Sequence, residues 1–115
     1  MDTHYFKQGS IIWIDLDPNL GHEQKGRRPA LVVSGTLHNR ASNITMVMPV
    51  TQTFRNSPML VKLDERTDTS GYVMVDQARG VDLTERKTKF IEMIPSDILS
   101  DVIHTLTLVL DTEEA

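Results

Sequence analysis

The sequence predicts a mainly β protein with helices (α+β), in which a small curled antiparallel sheet or partly closed barrel packs against a C-terminal helix. Short runs of β-branched and apolar residues alternate with polar segments that contain Gly, Pro and Asn. These runs follow one another without helical segments between them, which favours antiparallel pairing over a doubly wound parallel sheet. A long helical spacing of apolar residues occurs near the C-terminal end.

Seven short strands are expected ahead of the C-terminal helix. They cover residues 10–16, 29–35, 44–50, 59–63, 71–75, 78–83 and 88–94. A long loop is predicted at 17–28, and residues 36–43 predict a loop or a short helical turn. Because Pro49 has no amide donor, the third strand should end there or lie at an edge or a bulge. Asp76 and Gln77 interrupt the apolar pattern and predict a break between the fifth and sixth strands.

The C-terminal helix is predicted to begin at Pro95. Proline suits the first turn, Ser96 is expected to cap the helix, and Asp97 complements the positive charge of the helix start. Apolar residues recur at spacings of three and four and form a stripe that we expect to be buried. This stripe comprises Ile98, Leu99, Val102, Ile103, Leu106, Val109 and Leu110.

The composition of this 115-residue chain excludes several classes of protein. Its length fits one domain over residues 1–115. The absence of Cys excludes disulfides, thiolate chemistry and Cys-based zinc sites. No apolar run approaches the roughly 20 residues that cross a membrane, and the N-terminus has no secretory pattern, so we expect a soluble cytoplasmic protein. The four His residues show no metal-ligand spacing, and no metal or cofactor is expected.

The charge is distributed unevenly along the chain. The net charge is −4, but residues 92–115 contain six acidic residues and no Lys or Arg. Residues 1–91 therefore sum to +2. This mildly basic part permits binding to RNA phosphates without requiring it.

The segment 21–29 combines an acid, an imidazole, an amide and three cations with two Gly and one Pro. Arg28 directly precedes Pro29, which favours an extended backbone, and its planar guanidinium fits a phosphate clamp. The same segment also fits a solvated turn, with Arg28 paired to Glu23. Thr51 follows the third strand, where its hydroxyl could donate to a phosphate oxygen or simply end the strand.

Asp76 and Gln77 also admit two interpretations. Their side chains fit hydrogen bonds to a loop backbone, which we favour because buried polar groups need partners, or contact with a ligand.

The chain resembles the MazF/PemK (Kid) family of toxin endoribonucleases. A G-x-E-Q-x-G-x-R-P stretch followed by a D-Q-x-R-x-x-D stretch is specific, and the resemblance spans nearly the whole chain. The matching residues are Gly9, Ile12-Trp13, Asp17-Pro18, Gly21-His22-Glu23-Gln24, Gly26, Arg28-Pro29-Ala30-Leu31-Val32-Val33, Pro49-Val50-Thr51, Asp76-Gln77-Ala78-Arg79 and Asp82.

The resemblance implies a fold, a reaction and two partners. The implied fold is an SH3-like barrel type of curled antiparallel sheet, in a homodimer. The implied reaction is sequence-specific, metal-independent cleavage of single-stranded mRNA. A cognate antitoxin is implied as well, whose extended C-terminal tail covers the RNA groove.

The resemblance also implies the site residues. Arg28 and Thr51 match the core catalytic pair, and Glu23 matches a supporting acid. In the Kid branch a loop His and the Asp of the D-Q pair take part, which here are His22 and Asp76. That branch uses an Arg two residues before the Asp, where this chain has Met74, so the Kid-type set is incomplete.

Metal-free cleavage would use the 2′-OH of the substrate and leave a 2′,3′-cyclic phosphate and a 5′-OH. Arg28 and Thr51 suit stabilisation of the phosphorane, and Glu23 or His22 suits proton transfer. The expected RNA-binding residues are Gln24, Lys25, Arg27, Arg55, Gln77 and Arg79. The rings available to stack on bases are Trp13, Phe54, Tyr72 and Phe90.

Two other functions remain open. A related fold is used by a toxin that poisons DNA gyrase through protein contact, without cleavage. The complete G-x-E-Q-x-G-x-R-P loop and Thr51 favour the nuclease. A small SH3-like interaction module would usually display an exposed aromatic groove, which an aromatic content of 5% fits poorly.

Overall fold

Seven strands and two helices make up the computed structural model, which describes residues 5–16 and 27–111. The strands are β1 (Ser10–Asp15), β2 (Arg27–Val32), β3 (Ile44–Thr51), β4 (Leu60–Lys62), β5 (Tyr72–Met74), β6 (Arg79–Asp82) and β7 (Thr88–Met93). The helices are α1 (Thr36–Ala41) and α2 (Ser96–Val109), and 3-10 turns cover Val75–Gln77 and Leu83–Glu85. The predicted break at Asp76 and Gln77 and the helical turn within residues 36–43 are therefore confirmed.

All strands pair antiparallel in the order β4-β5-β3-β2-β1-β7, with β6 beside β3. The predicted class, an antiparallel sheet followed by a helix, is confirmed. Among the described strands, β4 and β7 end the order, so the strand pairing leaves the sheet open. The eight-residue β3 is central because it pairs with β2 on one edge and with β6 and then β5 on the other.

Of the positions predicted for Pro49, the end of the strand is wrong. The strand continues to Thr51, and Pro49 is buried opposite Ala30 of β2. On the other edge of β3, pairing with β6 ends at Val47 and pairing with β5 begins at Val50. Pro49 therefore occupies the place where β3 changes partner, where a missing donor is tolerated.

The two faces of the sheet bury separate apolar clusters. On one face, Ile11, Leu31 and Met48 pack with Val102 and Ile98 of α2. On the opposite face, the partly buried Phe6 and Leu83 pack against the second apolar cluster, and no long helix covers it in the described ranges. The buried residues of this second cluster are Ile12, Ile14, Leu16, Ala30, Val32, Val47 and Val81. Burial on both faces explains why β1 and β2 consist of nearly continuous apolar residues.

Helix α2 differs from the expectation at both ends. Pro95 is the N-cap residue, Ser96 is the first helical residue, and no side chain caps the helix. The expected Ser96 cap was therefore wrong, because the extended Pro95 takes that position. Val109 and Leu110 are exposed rather than buried, because the last turn extends beyond the apolar cluster. No helix in the described ranges has the length and apolarity of a membrane span.

Gly71 brings two distant segments of backbone together. Its φ is +118°, a conformation that residues with a Cβ rarely adopt. A Cβ at this position would also clash with the backbone carbonyl oxygen of Thr51. The turn between β4 and β5 can therefore lie against the end of β3 only because residue 71 is glycine.

We predict that Gly71→Ala destabilises the fold by at least about 2 kcal/mol, because it adds backbone strain to a clash that neither backbone can easily relieve. Urea unfolding followed by circular dichroism measures this change. Gly35→Ala is the control, since Gly35 has no atom within 4 Å of an added Cβ. Its effect should stay below about 1 kcal/mol. Equal effects of the two substitutions would contradict the assigned role of Gly71.

Candidate functional site

A groove of about 570 Å³ lies where β2 begins and β3 ends. Apolar side chains and charged or polar ones line it together, which suits a ligand with both flat rings and anionic groups. The lining residues are Trp13, Arg27, Arg28, Pro29, Val50, Thr51, Gln52, Asp68, Thr69, Ser70 and Ile91.

The strand register brings Arg28 and Thr51 together at this groove. In the β2–β3 ladder Ala30 lies opposite Pro49 and Val32 opposite Val47. Continuing the same register by two residues places Arg28 opposite Thr51, on the same face of the sheet. Residues directly opposite in an antiparallel pair have Cβ atoms about 5 Å apart. A guanidinium and a hydroxyl can therefore act on one anionic group.

An aromatic pair continues this row across the next strand. Tyr72 of β5 lies opposite Thr51, and Lys62 of β4 lies opposite Tyr72. The Phe54 ring is tilted by 57° against the Tyr72 ring, with their centroids 5.6 Å apart. Phe54 is 65% exposed, so this pair offers an open ring surface beside Thr51.

The wall turn, which we define as residues 63–71 between β4 and β5, forms one side of the groove. Gln52 donates from Nε2 to the Ser70 carbonyl oxygen at 2.9 Å and lies 3.1 Å from the Ser70 hydroxyl. Within the turn, the buried Thr67 donates its hydroxyl to the Thr69 carbonyl oxygen at 2.6 Å. The turn is therefore tied internally and to the residue that follows Thr51.

Glu92 of β7 binds the wall turn from the other side of the groove. Its carboxylate accepts hydrogen bonds from the Asp68 amide at 3.1 Å and from the Thr69 amide and hydroxyl, each at 2.8 Å. Burial acts to raise the pKa of the Glu92 carboxyl, but the hydrogen bonds from Thr69 and Asp68 outweigh it, so the pKa lies below its ordinary value.

Arg66 connects the wall turn to the first turn of α2. Its guanidinium donates two hydrogen bonds to Asp97, each 2.9 Å long, and further bonds to Asp64. The hydrogen bond from Arg66 is the main cause that lowers the pKa of both carboxyls. These groups are exposed, so their role is to orient the turn more than to stabilise the fold.

The structure brings together three of the predicted site residues and separates others from them. Arg27, Arg28 and Thr51 line the groove. The remaining described candidates, Arg55, Asp76, Gln77 and Arg79, do not line it. His22, Glu23, Gln24 and Lys25 lie outside the described residues.

Two of the separated candidates have defined contacts. Arg79 donates from Nη2 to the Leu16 carbonyl oxygen at 3.0 Å, and Arg55 Nη2 lies 3.6 Å from the Met74 sulfur. Asp76 and Gln77 are exposed in their 3-10 turn. In the described ranges, no three His, Asp or Glu side chains form a group that could hold a metal ion.

Sequence reasoning missed Glu92 and the residues that it binds. The sequence alone assigns no role to the Asp, Thr and Ser residues of the wall turn, and it places Glu92 only within the acidic segment 92–115. No local pattern marks Glu92, because its hydrogen-bond partners lie 23 and 24 residues away in the sequence. The Thr-Asp-Thr-Ser run, rich in donors, was the available signal.

We predict that Glu92 makes folding stability depend on pH. Because its pKa is lowered from the ordinary 4.5, its stabilising effect is present above that value and is lost as the pH falls through the folded-state pKa. Urea unfolding of the native protein and of Glu92→Gln between pH 7 and pH 3 measures this. The difference in unfolding free energy should shrink on acidification, whereas a constant difference would contradict the prediction.

Comparisons with known proteins agree in sequence and in fold. A family model for the PemK-like, MazF-like toxin of type II toxin–antitoxin systems matches residues 7–110. The chain is 36% identical over 108 residues to the endoribonuclease PemK of Escherichia coli, covering 90% of this chain and 81% of that protein. The resemblance predicted from the sequence is confirmed.

Two solved structures share the fold. MazF of Deinococcus radiodurans superposes with a TM-score of 0.82 at 33% identity, covering 93% of this chain and 97% of that one. A MazE-MazF structure from the same organism gives a TM-score of 0.80 at 27% identity, covering 96% and 99%.

Proposed function

The chain belongs to the PemK-like, MazF-like toxin family of type II toxin–antitoxin systems, and we propose that it is an endoribonuclease that cleaves single-stranded mRNA at defined sequences. The single observation that supports this proposal is that Arg28 of β2 and Thr51 of the neighbouring strand β3 line one groove. The proposal treats residues 1–115 as one toxin domain that acts in the cytoplasm, where mRNA is translated.

Arg28 and Thr51 would stabilise charge on the phosphorane. Cleavage builds negative charge on the non-bridging phosphate oxygens, and fixed donors aimed at those oxygens lower the barrier. A guanidinium provides a charged planar fork, and the Thr51 hydroxyl provides a second donor from the neighbouring strand. Removing one such donor typically costs a rate factor of about 10²–10³.

The proposed reaction uses the 2′-OH of the substrate as the nucleophile. The 2′-oxygen forms a bond to phosphorus while the bond from phosphorus to the 5′-oxygen breaks, which leaves a 2′,3′-cyclic phosphate and a 5′-OH. A base takes the 2′ proton, and an acid protonates the leaving oxygen. A guanidinium does not readily give up its proton, so we assign proton transfer to Glu23 or His22, with Asp76 as a further candidate.

The groove also offers surfaces for the rest of the RNA strand. The tilted Phe54–Tyr72 pair lies beside Thr51, and Trp13 is 39% exposed in the groove. Exposed rings of this kind stack on unpaired bases. Arg55 reaches Met74, the position at which the Kid branch has Arg, and supplies a guanidinium there. Gln24, Lys25, Arg27, Gln77 and Arg79 complete the proposed RNA-binding set.

Two partners accompany this function. A MazE-MazF structure is among those that share the fold, and on that ground we propose a cognate antitoxin for this chain. An extended antitoxin tail would occupy the same groove and exclude RNA from it. The proposal includes a homodimer, the assembly that the family resemblance implies.

We predict that Arg28→Ala lowers RNA cleavage at least about 10²-fold and that Thr51→Val lowers it by a similar factor, because each removes one phosphorane donor. Urea unfolding should show changes of less than about 1 kcal/mol, since both side chains lie at the rim of the fold. Initial rates on a fluorescent single-stranded RNA measure the loss.

Arg40→Ala is the matched control, because Arg40 is exposed on α1 and does not line the groove. Near-native cleavage by Arg28→Ala would contradict the proposal. Mapping the 5′ ends in EDTA tests the rival function as well. Defined cuts with 5′-OH ends support the nuclease, whereas intact RNA and stalled gyrase support the toxin that acts by protein contact.

We predict that RNA binding weakens steeply as salt increases, because basic residues displace counterions from phosphates. Contact with three phosphates would lower the binding constant about 100-fold for each tenfold increase in salt. Arg27→Ala should reduce the slope of log K against log salt by about 0.7. Fluorescence anisotropy with the Arg28→Ala protein, which leaves the RNA uncleaved, measures both slopes. A salt-independent binding constant would argue against the groove as the RNA site.

A further inference from the structure

We propose that Glu92 is a positioning residue for the RNA site: its carboxylate holds the wall turn at a fixed distance from Arg28 and Thr51 and thereby sets which nucleotide sequence is cut. This inference rests on the proposed nuclease function. It concerns the choice of cleavage site and assigns Glu92 no contact with the reacting atoms.

The sheet topology makes the Glu92 contact unusual. β5, which leads out of the wall turn, and β7, which carries Glu92, are separated by β3, β2 and β1. Strands in a flat sheet are about 4.8 Å apart, so β5 and β7 would be about 19 Å apart without curling. The hydrogen bonds from Asp68 and Thr69 to Glu92 therefore join the wall turn to β7 through the curling of the sheet, without strand pairing between β5 and β7.

Each donor in this bridge belongs to a residue that lines the groove. Asp68 and Thr69 donate consecutive backbone amides, and Thr69 adds its hydroxyl. Three donors to one carboxylate define its orientation better than one, and bonds to a charged acceptor are the stronger kind. A glutamine at position 92 would keep the shape but lose the charge and one of the two acceptor oxygens.

The wall turn has a second, independent attachment at the Thr51 end of β3. Gln52 binds Ser70, and Gly71 lies against the Thr51 backbone. With Glu92 in place, the turn is held from both sides, so the groove width between Thr69 and the Arg28–Thr51 pair is fixed. Without Glu92 the turn is still held at Thr51 and through Arg66 and Asp97, but the Asp68 and Thr69 amides lose their partner and this part of the turn gains freedom.

This geometry affects selectivity because proteins read unpaired RNA bases by hydrogen bonds to their edges. The wall turn contributes three residues with polar groups, Asp68, Thr69 and Ser70, to the lining of the groove. Such groups discriminate between bases when they are held in place, and a displacement of about 1 Å can cost a rate factor of about 100.

The test compares Glu92→Gln with Glu65→Gln. Glu65 is an exposed acid of the same wall turn, does not line the groove and has no hydrogen bond to a described residue, so the charge change is matched. We measure kcat and KM on a preferred RNA site and map cleavage sites on a long RNA. Hydrogen exchange of the Asp68 and Thr69 amides reports on the bridge itself, independently of cleavage.

We expect Glu92→Gln to fold, to exchange these two amides faster, and to lose about tenfold in the ratio of preferred-site to secondary-site cleavage. Glu65→Gln should behave like the native protein. If Glu92→Gln does not fold, Glu92→Asp takes its place, since it keeps the charge, leaves the groove lining unchanged and withdraws the carboxylate from its three donors by one methylene. We expect about a threefold loss of selectivity from that variant.

The outcomes separate this inference from the proposed function. Native selectivity in a folded Glu92→Gln or Glu92→Asp protein, together with active native enzyme, would overturn the role of Glu92 and leave the nuclease intact. An equal loss of preferred and secondary cleavage would also overturn it, because that result indicates general destabilisation. Absence of RNA cleavage by the native protein would overturn the proposed function and this inference with it.

Discussion

The register between β2 and β3 is the constraint on which the groove depends. Leu31 and Val32 lie opposite Met48 and Val47, and all four side chains are buried. Because successive residues of a strand face opposite sides, a slip of one residue would move each buried side chain to the wrong face. Burial thus fixes the register, and in this register β2 and β3 bring Arg28 and Thr51 to one groove. Packing in the interior therefore determines geometry at the rim.

The wall turn shows a second kind of constraint, made of charges and hydrogen bonds instead of apolar packing. Glu92 holds it from β7, and Arg66 ties it to Asp97 at the start of α2. These bonds involve exposed or partly exposed groups, which contribute little to overall stability. Their effect is local, because they restrict where one turn can lie. The exposed residues of this turn can be replaced without disturbing the core, whereas Leu63, Gly71 and the β2–β3 register cannot be changed in that way.

Local sequence was sufficient for the strands, the last helix and the family motifs, because each depends on the spacing of neighbouring residues. The predicted strand end at Pro49 was wrong, because a proline is tolerated at the position where β3 changes its pairing partner. The predicted Ser96 cap was wrong because Pro95 occupies the N-cap position. The predicted burial of Leu110 was wrong because the helix extends beyond the apolar cluster against which it packs. The role of Glu92 was missed because its hydrogen-bond partners are near in space but distant in the chain.

The two constraints divide the proposed reaction into separable parts. In this proposal Arg28 and Thr51, which neighbouring strands hold in place, stabilise the phosphorane. Base selection depends on Thr69 and its neighbours, which the hydrogen bonds to Glu92 hold in place. A change in the hydrogen bonds to Glu92 moves the wall turn relative to Arg28 and Thr51 but leaves the positions of Arg28 and Thr51 relative to each other unchanged. Catalysis should therefore persist while the preferred sequence changes.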